Sequence, residues 1–496
     1  MNSSKCMNCT CTGVSIVWRC SHAGSFVIDL KMISRKRQVL YILFFISAVS
    51  IFYNSNHVFH HSPYNVAPYS LVKSLHLTLE LPRNTTSRRV IVQSYIKHLQ
   101  SQLARRVHQQ YQPVPFELLE KIYRSRRRRA RDICRVRRAG KMKADKLQRQ
   151  ISILKKPKLF YCAVPKAGST FWRRVFVAVK RRKSGISSPF LFSYSDFITK
   201  KYALDIKLTK SNRAKDLQKI VKSSFKFIFT RDPYHRLFST YIDKMYAPNS
   251  VFWEYTAKRA IKKVRSNGRY YTGCGADITF VELVKYLNTL HPNNYNEHLM
   301  PATGNCDVCG VDYDVIGKME TFSSDAMYIL NKTGLLGKQI VFYDMRTEHK
   351  IDYIIDAVVR GFRLKHVRRS AWINCVSTHA GYQRIWRQIQ IAGLIEKTRD
   401  YPLTSAGSEA ITVTEYINMA LEAHRHSSGL SMLNKKEAYL QAYAQLSPRD
   451  LEAIREKYLD DFYTFGYPDR PTELFDRANN SQQDNVFDYF DLLTEQ

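Results

Sequence analysis

Acidic residues are scarce in this sequence. The 496-residue chain carries 42 Asp and Glu against 78 Lys and Arg, a formal net charge of +36. That imbalance points to polyanionic partners: nucleic acid, anionic lipid or acidic polysaccharide. Long apolar runs are also lacking. The candidate span, VLYILFFISAVSIFY (Val39 to Tyr53), has thirteen apolar residues of fifteen and no charge, short of the roughly 20 that usually cross a bilayer. No clear small-x-small site follows it, and a 38-residue lead is long for a cleaved signal peptide. Metal-site spacing is missing too: Cys306 and Cys309 form a C-x-x-C with no second metal-spaced pair nearby, and no acidic motif demands a metal. Finally, the glycine-containing loop after the first strong strand signal does not fit G-x-x-x-x-G-K-[ST], because its lysine precedes the only glycine by two residues. This argues against a P-loop kinase.

That loop is the most informative stretch present. Leu159 to Trp172 reads LFYCAVPKAGSTFW. LFYCAV suits a buried strand, Pro165 ends it, and FWRRVFVAVKRR has helical spacing. A strand, a tight turn and a helix start together make an anion site from free N–H groups and the helix dipole. Lys166 adds a full charge, and Ser169 and Thr170 add hydroxyl donors. A basic surface turn is the plainer reading of this stretch alone.

A second stretch repeats the arrangement. FKFIFTRDPYHRLFSTY (Phe225 to Tyr241) runs from strand through loop to helix, with Asp232 suited to the N-cap and Pro233 to the first helical position. Arg231 at the strand end and Ser239 two turns along the helix suit a second phosphate. Arg231 paired on the surface with an acid is the alternative.

PKAGSTFW resembles the 5′-phosphosulfate loop of Golgi carbohydrate sulfotransferases, and RDPYHRLFS resembles their 3′-phosphate loop. The likeness continues in ITFVELVKYL (Ile278 to Leu287), HLMPATGNCDVCGVDYDVIGKMET (His298 to Thr321) and YLDDFYTFGY (Tyr458 to Tyr467). Together these blocks are similar to the chondroitin, dermatan and N-acetylgalactosamine 4-O-sulfotransferase group. The resemblance implies an α/β fold, a P-loop-like open parallel sheet flanked by helices with ligands at the strand C-termini. It implies 3′-phosphoadenosine 5′-phosphosulfate as co-substrate, no metal, no nucleic-acid partner, and an acidic glycan or glycoprotein acceptor. The expected reaction is sulfuryl transfer to a hydroxyl of a glycosaminoglycan or an N-acetylgalactosamine-containing chain. A non-catalytic, basic glycan-binding Golgi protein keeping the fold is the alternative.

Site residues carry over by position. The donor's 5′ end is expected at Pro165, Lys166, Ala167, Gly168, Ser169, Thr170, Phe171 and Trp172. Its 3′-phosphate is expected at Arg231, Asp232, Pro233, Tyr234, His235, Arg236, Leu237, Phe238 and Ser239. Lys166 is the catalytic cation. His298 is the candidate general base, although Leu299 stands where the family usually has tryptophan; His235, Asp243 and Glu320 are alternatives. Basic residues after Lys180 and near Lys200 are candidates for acceptor carboxylates or sulfates.

The expected organisation has a cytoplasmic tail at 1–38, with Cys6, Cys9, Cys11 and Cys20 as unpaired thiols, and residues 1–31 as a possible upstream extension. A signal-anchor follows at 39–59, oriented by Arg35, Lys36 and Arg37 with the bulk of the chain in the Golgi lumen. A basic stem is expected at 60–150, a catalytic domain at 151–470 with a lid or insertion at 347–436, and a C-terminal tail at 471–496. The stem holds fourteen Lys or Arg in residues 121–150, which reads as a solvated run with a protease target at Arg126 to Arg129. Six cysteines (134, 162, 274, 306, 309 and 375) fall on the lumenal side and allow fifteen full pairings. Cys162, in a core strand, reads as a free thiol. Sequons at Asn84, Asn331 and Asn479 are glycosylation candidates.

Overall fold

The computed structural model describes residues 10–12, 15–20, 24–29, 114–137, 147, 150–180, 188–192, 213–265, 273–291, 294–342, 344–476 and 487–493. The expected anchor at 39–59, Cys6, Cys9, Asn84, Asn479 and the basic residues after Lys180 and near Lys200 lie outside them. Two units are distinguished, residues 1–78 and 79–496. In the first, β1 (Thr10–Thr12), β2 (Ser15–Cys20) and β3 (Gly24–Asp29) form an antiparallel meander, with Cys20 opposite Gly24 and Ser15 opposite Asp29.

The second unit is organised by a four-stranded sheet of β4 (Ile151–Leu154), β5 (Leu159–Cys162), β6 (Phe225–Thr230) and β7 (Val315–Lys318), in that spatial order. β5, β6 and β7 are parallel, so their C-terminal ends share one edge, as the resemblance implies. β4 corrects the all-parallel expectation: it pairs antiparallel to β5, with Ile151 opposite Cys162. The four residues of Lys155–Lys158 are short enough for a hairpin, whereas a parallel connection needs a crossover of a dozen or more. β4 and β5 are buried at every position, and Phe160, Tyr161 and Ile228 are wholly enclosed. Continuous apolar runs of this kind mark strands covered on both faces.

Helices flank the sheet. α1 (Phe116–Val136) overlaps the expected solvated stem, yet it is fastened to the sheet region. The Tyr123 hydroxyl donates to Asp325 Oδ1 at 2.8 Å, Arg126 Nη1 to Asp325 Oδ2 at 2.8 Å, and Cys134 is bonded to Cys309. Only 14% of the Arg126 side chain is exposed, so one residue of the expected cleavage target is occupied in holding α1 down. α2 (Ser169–Lys180) and α3 (Arg213–Ser223) lie between β5 and β6, and α4 (Pro233–Tyr241) follows β6.

The stretch expected as an insertion or lid is core. α5 (Met345–Val367) buries Ile351, Ile354, Ile355 and Val358 in one hydrophobic cluster with Tyr234, Trp372, Trp386, Tyr416 and Tyr443. Arg174 of α2, wholly buried, is ion-paired to Asp352 and Asp356 of α5, the latter at 2.6 Å. Part of the expected tail also packs inward: Tyr489 is fully buried, and its carbonyl accepts from the Tyr246 hydroxyl at 3.1 Å.

Three disulfides use all six cysteines: Cys134–Cys309, Cys162–Cys306 and Cys274–Cys375. Cys162 is therefore not the free thiol its strand position suggests. Cys306 and Cys309 bond to distant partners, not to each other.

Candidate active site

At the end of β5 the chain turns through Pro165–Gly168 into α2. Lys166 adopts φ 65°, the left-handed region that costs a residue with a Cβ roughly 1–2 kcal/mol. Gly168 has φ 74°, and a Cβ there would lie 2.5 Å from Phe322 Cε2, so the turn admits only glycine without a shift. Lys166, Gly168, Ser169 and Thr170 are partly accessible, and the first turn of α2 presents N–H groups that have no acceptor within the helix. Pro165, Ala167, Phe171 and Trp172 are buried. Trp172 packs against Phe227 and Tyr161, so the aromatic pair anchors the loop and its side chains do not line it.

The next strand repeats the pattern. Asp232 caps α4 by accepting from His235 N at 3.0 Å, with Pro233 in the first turn, as its residue types predict. Of Arg231 to Ser239, only Arg231, His235 and Ser239 are partly accessible, at the four-residue spacing of one helix face. His235 stacks on Tyr439 at 4.2 Å and an interplanar angle of 10°. Tyr234, Leu237 and Phe238 are core. Arg236 points inward: Nη2 donates to the Met300 carbonyl at 2.7 Å, Nη1 to the His298 carbonyl at 3.4 Å, and Asp461 lies 3.9 Å away. It braces the His298 loop.

Lys166 and Arg231 therefore stand just past the C-terminal ends of adjacent parallel strands. Lys435, in the helix Asn434–Ala444, feels both. Its ammonium is pushed down to about 8, first by Arg231, then by burial, with Lys166 adding to the effect and Glu320 opposing it. Burial likewise lowers Arg231, against Glu320 and Asp232. Glu320 also accepts from Asp232 N at 3.3 Å and from the Tyr467 hydroxyl at 3.1 Å.

α4 runs directly into a π-helical turn, Ile242–Tyr246, which carries Asp243. Such turns often occur at functional sites. Asp243 is ion-paired with Lys166 at 2.9 Å, Lys244 at 3.1 Å and Arg360 of α5. Burial would raise its carboxyl, but Arg360, Lys166 and Lys244 outweigh that and hold it well below the usual range. Burial pushes Lys166 down to about 8, with Lys244 and Arg360 adding to the effect and Asp243 opposing it.

His298 belongs to the same field. Burial, then Lys244 and Lys166, hold its imidazole well below 6.5, with Asp243 opposing. The ring is neutral at pH 7 and able to accept a proton. Asn296 Oδ1 accepts from the backbone N–H of His298 at 2.9 Å, Phe252 meets the ring edge to face at 5.1 Å, and Nδ1 is buried without a hydrogen bond among the described residues. The loop is then fixed by Asp461, which accepts from Ala302 N at 2.7 Å and Thr303 N at 2.8 Å. The structure thus brings together Lys166, Asp243 and His298, and places Arg231, His235 and Ser239 on the neighbouring strand end. Sequence reasoning missed Arg360, Lys435 and Lys244. The first two lie far along the chain, and nothing in their local pattern marks them. Asn331, the one sequon among the described residues, is exposed at the last turn of its helix.

Comparison with known proteins agrees with this architecture. The sulfotransferase family model matches residues 149–358, a range that holds both loops, Asp243 and His298. Carbohydrate sulfotransferase 9 of Homo sapiens is 31% identical over 224 residues, covering 45% of this chain and 49% of that protein. Carbohydrate sulfotransferase 11 of Rattus norvegicus is 28% identical over 238 residues, covering 46% and 66%. Carbohydrate sulfotransferase 14 of Danio rerio is 28% identical over 177 residues, covering 36% and 46%. The chain thus spans about half to two thirds of the length of these relatives. No solved structure matches. The sulfotransferase family model thus accounts for residues 149–358 of this chain, and the curated proteins the chain is similar to are carbohydrate sulfotransferases.

Proposed function

We propose that this protein is a carbohydrate sulfotransferase that uses 3′-phosphoadenosine 5′-phosphosulfate and acts on a glycan hydroxyl in the Golgi lumen, anchored by the apolar segment at 39–59. The observation that carries the reading is the placement of Lys166 and Arg231 at neighbouring strand ends, with Lys435 in the field of both. Like charges crowded at partly buried positions favour an anionic ligand with more than one charged group. The Gly168 turn, where a Cβ would strike Phe322, suits close approach of backbone to a phosphate.

The donor, when bound, supplies a sulfuryl group already activated by its anhydride to phosphate. The protein's own residues have three tasks. The α2 N-terminus, Ser169 and Thr170 would hold the 5′-phosphate, and Arg231 and Ser239 the 3′-phosphate. Lys166 keeps a proton and a positive charge where negative charge collects, the kind of preorganised stabilisation that dominates many enzyme sites. His298 takes the proton of the acceptor hydroxyl.

The test is transfer of labelled sulfate from the donor to glycan acceptors, alongside thermal stabilisation by adenosine 3′,5′-bisphosphate. Transfer lost in Lys166→Ala with the fold intact is the expected result. Full activity in that variant overturns the assignment. Imaging of the tagged full chain against Golgi and endoplasmic-reticulum markers tests the compartment.

A further inference from the structure

The helix Asn434–Ala444 lies against α4. Tyr439 stacks on His235 with ring centres 4.2 Å apart and meets Phe238 edge to face at 5.7 Å. The Tyr443 hydroxyl donates to the Tyr234 carbonyl at 2.8 Å. The start of the helix is held as well. Asn434 is buried, and its Nδ2 donates to the Gln390 and Ile395 carbonyls, both at 3.0 Å. A helix packed at its first residue, at Tyr439 and at Tyr443 has little freedom to rotate or slide, so the side chains between leave it in fixed directions.

Lys435 stands one turn before Tyr439, on the same face of that helix. Its side chain is reachable from solvent. Arg231 is the largest influence on its ammonium and Lys166 contributes too, so the amino group belongs with the two cations at the strand ends. Glu320 is the acid of this group, but one of its oxygens accepts from Asp232 N and the other from the Tyr467 hydroxyl. Among the described residues no carboxylate forms an ion pair with Lys435. A lysine held beside two like charges without a counter-ion is electrostatically unfavourable, and an anion bound among the three relieves it.

The chemistry of the ligand suits two cations at this end. A phosphate monoester carries about 1.5 to 2 negative charges at pH 7, more than one guanidinium offsets. Arg231 offers a rigid planar fork, and a lysine adds a point charge on a flexible stem that can reach the oxygen the fork leaves.

We propose that Lys435 is the second cation on the donor's 3′-phosphate, working with Arg231, and that it sets the preference for a nucleotide phosphorylated at the 3′ position. The inference rests on the sulfotransferase reading above. It goes further by drawing one donor contact from the C-terminal helices, outside the residues 149–358 that the family model matches.

The test measures the Kd of adenosine 3′,5′-bisphosphate and of adenosine 5′-monophosphate by titration calorimetry on the full chain. Wild type comes first, because failure to bind the bisphosphate would sink the donor reading itself, whatever Lys435 does. With that binding in place, Lys435→Gln should raise the bisphosphate Kd by about tenfold or more and leave the monophosphate Kd unchanged, narrowing the ratio between them. A merely structural role would weaken both nucleotides. Lys435→Arg keeps the charge and should hold most of the wild-type ratio. The proposal is overturned if Lys435→Gln leaves the bisphosphate Kd unchanged, if it weakens both nucleotides by the same factor, or if Lys435→Arg behaves like the glutamine variant.

Discussion

The ammonium of Lys166 lies 2.9 Å from a carboxylate oxygen of Asp243. The pair shares its surroundings with Lys244, Arg360 and His298, so the protonation of Lys166 depends on Asp243. With Lys166 pushed down to about 8 by burial, its charge is lost as pH rises through that value. The affinity for adenosine 3′,5′-bisphosphate should therefore fall between pH 7 and 9, and binding near pH 8 should take up a proton. Calorimetry in buffers of different ionisation enthalpy reads both. Asp243→Asn removes the one opposing charge in the group, so the alkaline limb of activity should move to lower pH. An unchanged limb would show that Lys166 does not set it.

The sign for stability follows separately. Lys166 is lowered from 10.5, so between about 8 and 10.5 the unfolded chain holds a proton the folded chain lacks. This group alone makes the fold more stable as pH rises through that window. Its contribution is the difference in the pH slope of urea stability between wild type and Lys166→Met. No difference above pH 8 would contradict the depressed ammonium.

Backbone conformation at Lys166 separates function from stability. Both Lys166→Gly and Lys166→Ala remove the cation, and transfer should drop by about 10²–10³-fold in each. Only glycine relieves the left-handed strain, so Lys166→Gly should be the more stable of the two by about 1 kcal/mol. Thermal denaturation distinguishes them, and equal stability would mean the loop relaxes in both.

Arg236 and Asp461 hold the loop that carries His298. Truncating one partner of a buried charged network typically costs about 3–5 kcal/mol, so Asp461→Ala should unfold at markedly lower denaturant. Asp461→Asn keeps an acceptor oxygen for one of the two N–H groups, Ala302 or Thr303, which bond to different oxygens of the carboxylate, and should lose less stability than the alanine variant. In that variant kcat is expected to fall while nucleotide-induced stabilisation persists, because the donor loops are untouched. Loss of the nucleotide shift would place Asp461 elsewhere in the mechanism.

At the glycine of the first loop, Gly168→Ala meets both a clash with Phe322 and an unfavourable φ. We expect a rise of about tenfold or more in the nucleotide Kd. Pairing it with Phe322→Leu should recover only part of the loss, since the clash is relieved and the φ is not. Full recovery would show that φ contributes nothing.

Local signals in the sequence located the two loops because their chemistry is local. The β5 and β6 runs and the Asp232 and Pro233 start of α4 all lie within a few residues of what they control. Long-range features were hidden for the same reason. Arg360 and Lys435 meet Asp243 and Arg231 only after α5 and the Asn434–Ala444 helix pack beside α4. Arg236 sits in a donor-loop motif but points inward, since residues 231, 235 and 239 share the accessible face and 236 does not. The basic run of α1 reads as solvated because its anchors, Asp325 and Cys309, are about two hundred positions away. Tyr489 lies in a short acidic stretch that gives no periodicity to read.

Cys306 and Cys309 sit three residues apart, yet their partners, Cys162 and Cys134, come from different layers of the molecule. The correct bond at Cys306 joins the strand leading into the Lys166 turn to the segment that follows His298. An exchanged pair would pull those two segments out of register while still consuming every thiol. Fully oxidised protein is therefore not the same as competent protein, and recombinant material should be sorted by disulfide mapping before any inactive preparation is taken as evidence about chemistry.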